Sequence, residues 1–330
     1  MKVLIAGPMP SDKNSGGVAV FTANLAKEIS KNNDVLIVSK NKVSSSIPII
    51  SIWHIRKIKE FHPDIIISCL EYSFILSFFS ISGKKVHILH GFPTFNAYSQ
   101  IKFQLMHLID KRINKKYDML LANSKYTKYI NESIFDLNVK NTFNIGLSDK
   151  ELKEAEMSLN DFSKKENILY VGRLVKVKGV DLALKAFENL QLSNAQFDVV
   201  GYGPEESKLK AKYQLNKNII FRGSCDHKKI DAFYKKAKVF ISLNDAEPFG
   251  ITYLEALVNG DFIIAPKIGG QVELLKKFPD RCILVDKDNI EGISKAIKIG
   301  LKSNFSPLSD NDIANFSYKN TWNEILKALN

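Results

Sequence analysis

Short β-branched apolar runs alternate along the chain with stretches whose apolar residues recur at helical spacing. That alternation is the pattern of a doubly wound parallel sheet rather than of a helical bundle or a sandwich. In the first half the runs predict strands at 2–6, 34–39, 64–68, 85–89, 119–122 and 142–145. In the second half they predict strands at 168–171, 197–200, 219–221, 239–243, 262–265 and 283–285. The pattern therefore reads as two similar α/β units in tandem. Residues 101–117 form an amphipathic helix in this reading, with Ile101, Leu105, Leu108, Ile109 and Ile113 on one face and Lys102, Lys111, Arg112, Lys115 and Lys116 elsewhere.

Length agrees with the pattern, because 330 residues exceed what one core organises and suit two domains of roughly 150 residues each. The predicted division is an N-terminal Rossmann-like domain at 1–148, a polar linker at 149–166, a second Rossmann-like domain at 167–308 and a helical C-terminal segment at 309–330. Ligands of open α/β sheets sit outside the carboxyl ends of the strands, so two facing domains would bring their loops to one cleft.

Composition narrows the setting. Three widely separated cysteines, Cys69, Cys225 and Cys282, argue against a disulfide framework or a zinc cluster. The apolar run at the N-terminus closes early on Gly7-Pro8, and the most apolar stretch, 65–81, is interrupted by Glu71. It falls short of the roughly 20 uninterrupted apolar residues that span a bilayer. The expectation is a cytoplasmic protein that does not cross the membrane. Of the net charge of +12, +9 lies in residues 1–148 and +3 in 149–330. An excess so placed suits an anionic partner such as the inner membrane surface or a lipid-phosphate acceptor. Nucleic acid is not expected, since neither an RNP-like aromatic motif nor a helix-turn-helix is present.

The stretch most informative about chemistry is Glu247-Pro248-Phe249-Gly250-Ile251-Thr252-Tyr253-Leu254-Glu255, which follows an apolar strand and opens a helix. If that helix starts near Gly250, the amides of Gly250, Ile251 and Thr252 are unpaired donors suited to phosphate. Glu247 then lies in the preceding loop, and Glu255 one to two turns inside the helix. Upstream, Gly172-Arg173 and Lys178-Gly179 follow the first strand of the second half, where Arg173 and Lys178 can converge on a diphosphate. Gly201-Tyr202-Gly203-Pro204 ends the next strand in a tight turn, and Phe221-Arg222-Gly223 ends the one after it. In the first half, Gly16-Gly17 lets the backbone approach phosphate oxygens. His90 ends the run 85–90 at the carboxyl end of a strand, whereas His87 falls inside it. The pattern of a P-loop is missing, and Glu206 stands where the third glycine of a dinucleotide fingerprint would be.

Taken in this order, the motifs resemble those of the retaining glycosyltransferases of family 4, which have the GT-B fold and an E-x7-E signature, here Glu247 and Glu255. The likeness is densest from Asn167 to Leu275; over 1–148 it rests on Gly16-Gly17 and His90-Gly91. It implies transfer of a sugar from a nucleotide-diphosphate donor, a UDP-sugar favoured over a GDP-sugar, to an acceptor hydroxyl with retention at the anomeric carbon. No metal or other cofactor is expected. The acceptor would be lipid-linked or a saccharide, in surface-polysaccharide or glycolipid assembly.

The resemblance assigns Arg173, Lys178 and Gly172 to the diphosphate and Glu255 to the ribose hydroxyls. Glu247 and His90 go to the donor sugar, and Gly16, Gly17, Gly203, Phe249, Gly250, Ile251 and Thr252 line the donor. It also implies that the last helix crosses back to the first domain. A nucleotide-sugar epimerase and a non-catalytic partner subunit are the other readings of the same residues.

Overall fold

A computed structural model describes residues 1–10, 16–39, 52–93, 100–158, 167–225, 227–304 and 308–329. The chain divides into two compact units, Met1–Ser148 together with Asn315–Asn330, and Asp149–Ala314.

The first unit carries β1 (Lys2–Ala6), α1 (Gly17–Ile29), β2 (Asp34–Val38), α2 (Ile52–Phe61), β3 (Ile65–Cys69), α3 (Leu70–Leu76), β4 (Lys84–Leu89), α4 (Gln100–Lys116), β5 (Met119–Ala122), α5 (Lys125–Phe135) and β6 (Val139–Thr142). Its six parallel strands run in the order β2-β1-β3-β4-β5-β6. The second unit carries α6 (Asp149–Ser158), β7 (Asn167–Val171), α7 (Val180–Glu188), β8 (Phe197–Val200), α8 (Glu206–Lys212), β9 (Ile219–Gly223), α9 (His227–Lys236), β10 (Ala237–Ile241), α10 (Ile251–Val258), β11 (Phe262–Pro266), α11 (Gln271–Leu275), β12 (Cys282–Val285), α12 (Ile290–Lys302) and α13 (Asp310–Asn315). Its parallel sheet runs β12-β11-β10-β7-β8-β9. The final helix α14 (Tyr318–Leu329) belongs to the first unit.

Burial explains why these runs became strands. Central strands such as β3, β5, β8 and β11 are buried along their whole length, as helices on both faces of a parallel sheet require. In the second unit Phe187 of α7 meets Phe197 of β8 edge-on at 5.5 Å, within a core that also takes Tyr170, Val239, Ile241 and Ile297. In the first, Leu4, Ile58, Ile66 and Leu76 make the corresponding cluster.

Three expectations are corrected. The last strand of the first unit is Val139–Thr142, not 142–145. It is an edge strand with polar, exposed Lys140 and Asn141, while the apolar Phe143 and Ile145 that suggested a strand are buried just beyond it. The segment expected to be linker begins with helix α6, which packs on α9 and α10 within the second unit; 159–166 lie outside the described residues. The helix expected at 101–117 is present as α4, but its apolar residues do not share one buried face. Ile113 is buried, whereas Leu105 and Leu108 are 56% and 64% exposed.

α14 supplies an apolar face through Trp322, Ile325 and Leu329 and lies on α1. Leu147 bridges to Ser317, and the Thr321 hydroxyl donates to Asn144 O at 2.9 Å, so the chain's return is hydrogen-bonded as well as packed. No described helix is long and apolar enough to cross a membrane.

Candidate donor site of the second unit

The strand order of the second unit reverses between β7 and β10, and the loops leaving the carboxyl ends of these two neighbours form the switch point where such sheets bind ligands. Gly172 to Gly179 leave β7; Ser242 to Gly250 leave β10. Across them the Lys178 ammonium donates to a Glu247 carboxylate oxygen at 2.6 Å. The same oxygen accepts from Asn244 Nδ2 at 2.7 Å. Asn244 is buried and its own Oδ1 accepts from the Ala246 amide at 3.2 Å, so the loop that presents Glu247 is braced by the residue three positions earlier. Asp245 is tied to Lys287.

Glu247 is thus not a helix cap, since its side chain is engaged by Lys178 and Asn244, and its carbonyl accepts from the Gly270 amide at 2.7 Å. The cap is Gly250, at φ +93°, where a β-carbon would come within 2.5 Å of the Tyr253 ring. Only glycine suits that left-handed, crowded position. Tyr253 is fully buried and its hydroxyl donates to Ser242 O at 2.8 Å, which pins the first turn of α10 to the end of β10. The first amides of α10, Ile251 and Thr252, have no carbonyl one turn back to bond and stand half-buried at its N-terminus. Phe249 is buried just before them.

Glu255 is buried, not a solvated helix residue, and accepts a 2.8 Å hydrogen bond from the hydroxyl of fully buried Tyr234 on α9. Burial, followed by the charge of Glu255, pushes the Tyr234 phenol well above its usual value, so it remains a donor to that carboxylate. Arg173 is exposed, and its carbonyl accepts from the buried Tyr170 hydroxyl at 2.9 Å. Burial, then Glu247, raises that phenol as well. Gly203 packs on the β7 loop: a β-carbon there would meet Leu174 O at 2.4 Å, and Leu174 N donates to Tyr202 O. Its glycine is explained by contact between two loops of the protein.

The structure therefore brings Gly172, Arg173, Lys178, Gly203, Glu247, Phe249, Gly250, Ile251, Thr252 and Glu255 onto the strand-end loops and first turns of one unit. Asn244 and Tyr234 were not anticipated. An asparagine three residues before an acid is a local signal that could have been read; Tyr234 depends on how α9 packs and has none.

The remaining predicted residues, Gly16, Gly17 and His90, belong to the first unit. Gly16 caps α1 with extended backbone, both glycines are exposed, and a β-carbon on either would meet nothing within 4 Å. The protein's own packing does not demand glycine there. The His90 ring stands edge-on to Phe21 at 4.6 Å, with Nε2 buried and unpartnered among the described residues. Burial, then His87, lowers its pKa to about 3, so the imidazole is neutral. His87 bonds Ser73 Oγ at 2.6 Å inside the core.

A family model described as glycosyl transferases group 1 matches residues 153–319, half of the chain and nearly all of the second unit. The chain belongs to this family. An uncharacterized glycosyltransferase of Methanocaldococcus jannaschii is 28% identical over 266 residues, covering 74% of this chain and 66% of its own. The poly(glycerol-phosphate) alpha-glucosyltransferase of Bacillus subtilis is 29% identical over 144 residues, 42% of this chain and 21% of its own. The chain spans less than two thirds of the length of either relative. Among solved structures, Anabaena HepE in complex with UDP and glucose gives a TM-score of 0.70 at 15% identity, covering 100% of this chain and 99% of that one. The fold of this group 1 family member is accordingly GT-B-like, with two Rossmann-like units.

Proposed function

We propose that the protein transfers a sugar from a nucleoside diphosphate donor, a UDP-sugar before a GDP-sugar, to an acceptor hydroxyl with retention of anomeric configuration. The observation that carries this reading is the 2.6 Å pairing of Lys178 with Glu247 at the switch point, beside the Gly250-capped start of α10. An ammonium has three donors. One is spent on Glu247, leaving two for phosphate oxygens, joined by the Arg173 fork and the first amides of α10. Glu255, aimed by Tyr234, takes the ribose hydroxyls; Glu247, held by Lys178 and Asn244, takes hydroxyls of the donor sugar.

In the proposed step the bond from the anomeric carbon to the diphosphate oxygen breaks and its electron pair stays on that oxygen. The acceptor oxygen bonds to the same face of the carbon, and its proton passes to the departing diphosphate. Negative charge grows on the leaving group, so cations already in place stabilise the transition state more than the ground state. Family membership supports this reading, as do the UDP and glucose in the HepE structure. The acceptor belongs to surface-polysaccharide or glycolipid assembly, at the inner face of the cytoplasmic membrane. Incubating the protein with UDP- and GDP-sugars and an acceptor panel, then reading the product linkage by NMR, tests the proposal. An α-linked product from an α-linked donor is expected. An inverted linkage contradicts retention, and isomerised nucleotide sugar formed without acceptor contradicts transfer.

A further inference from the structure

A cavity of about 700 Å³ lies wholly within the first unit, lined by the carboxyl end of β4 and by α3 and α4. That volume is in the range that holds a small-molecule ligand. Its walls are largely apolar, with Leu70, Phe74, Phe92, Met106 and Ile109 contributing. Two polar side chains break this lining without being satisfied by the protein. No described residue donates a hydrogen bond or ion pair to Asp110, and burial alone pushes its carboxyl up to about 6. The buried Nε2 of His90 also has no partner among the described residues. Asn131, on the same wall, is by contrast spent: its Nδ2 donates to Gly91 O at 3.1 Å and Thr127 O at 2.8 Å. Polar groups left unpaired in an apolar wall are costly to the fold, and a ligand with hydroxyls would satisfy them.

The charge of the lining sets the ligand's class. Glu71 and Asp110 are acidic, and among the described residues of the lining there is no lysine or arginine. The basic residues of α4, such as Lys111, Lys115 and Lys116, lie exposed on its outside. A phosphate in the cavity would meet carboxylates rather than cations. Among the described residues, the basic side chains of α4 therefore belong to the outer surface and not to this site.

We propose that this cavity takes the acceptor as a neutral amphiphile, with hydroxyls on Asp110 and His90 and its apolar body against Phe74, Met106 and Ile109. The inference rests on the transferase reading for the word acceptor, and on the cavity alone for the ligand's chemistry. Asp110 is then the residue that selects an uncharged head over a phosphorylated one.

Isothermal titration of the full chain with n-octyl β-D-glucoside below its micellar concentration, octyl phosphate and glucose tests this directly. The glucoside is expected to bind at least tenfold more tightly than either of the others. Asp110→Leu should weaken the glucoside at least tenfold while raising the thermal midpoint, so that the loss is not one of folding. Met106→Trp, which fills the cavity, should weaken it as well. Octyl phosphate binding as tightly as the glucoside, or glucoside affinity unchanged in both variants, would overturn the proposal. UDP is titrated in parallel. GDP is titrated likewise: glucoside binding without binding of either nucleotide refutes the transferase reading and keeps the cavity's ligand class, and nucleotide binding without glucoside binding refutes the cavity alone.

Discussion

At the scale of single residues, activity depends on which side chains are held and which are left free to act. Lys178 and Glu247 hold each other in a partly buried pair. In the proposed step, removing the ammonium takes away a donor to the leaving group, and losses of this kind typically cost about 10² to 10³ in rate. Lys178→Ala should therefore lower kcat by about that factor, measured as UDP release in the presence of acceptor. Its thermal midpoint should fall only modestly, because Glu247 keeps its 2.7 Å hydrogen bond from Asn244 when the ammonium is gone. In the proposed reading Tyr234 acts through Glu255, to which its hydroxyl donates. Tyr234→Phe deletes the 2.8 Å bond to Glu255, so the expected change is a rise in donor KM of about tenfold with kcat nearly kept; a purely structural role would lower the thermal midpoint and leave KM alone.

Residues of this kind were unequally legible. Glu247, Lys178 and Glu255 stand out because their spacing is tied to one strand end and one helix start. Asn244 and Tyr234 hold them through contacts that arise only once the β10 loop has folded and α9 has packed.

At the scale of elements, the start of α10 depends on one glycine. Gly250 has φ +93° and faces the Tyr253 ring, so Gly250→Ala combines a left-handed strain with a clash. It should destabilise the second unit by more than about 1 kcal/mol and weaken UDP binding, both visible in thermal melts with and without UDP. Strand positions were readable wherever the sheet is covered on both faces, because there the apolar run and the strand coincide. They failed at one edge strand: β6 has exposed Lys140 and Asn141 and is held by backbone hydrogen bonds, while Phe143 and Ile145 are buried after the strand has ended. The apolar period of α4 misled in the opposite way. Leu105 and Leu108 keep helical spacing and yet face outward, because the helix buries Ile113 and lines the cavity through Met106 and Ile109.

At the scale of the whole molecule, each unit is a complete Rossmann-like sheet, but the first is closed by the last helix of the chain. Ile325 of α14 is fully buried in that unit. Ile325→Ala should cost about 2 to 5 kcal/mol, lowering the melting of the first unit while UDP still stabilises the second.

Asp110 makes its own contribution to the pH response of the first unit, opposite in sign to that of the buried, neutral His87 and His90. Its folded pKa of about 6 lies above the ordinary 3.8. The folded state therefore holds more protons than the unfolded state between these values, and this group's contribution to stability falls as pH rises from about 4 to about 6. At pH 8 its cost is fully present, at most about 3 kcal/mol at about 1.4 kcal/mol per unit. Asp110→Leu should raise the thermal midpoint at pH 8, and the part of the gain that comes from removing the charge should vanish below pH 4.

Titration of UDP and of uridine into the wild-type chain, Lys178→Ala and Arg173→Ala tests the central claim most directly. The wild type should bind UDP at least a hundredfold more tightly than uridine, and each variant should lose most of that difference while binding uridine as before. UDP affinity left unchanged in both variants would show that the diphosphate is held elsewhere.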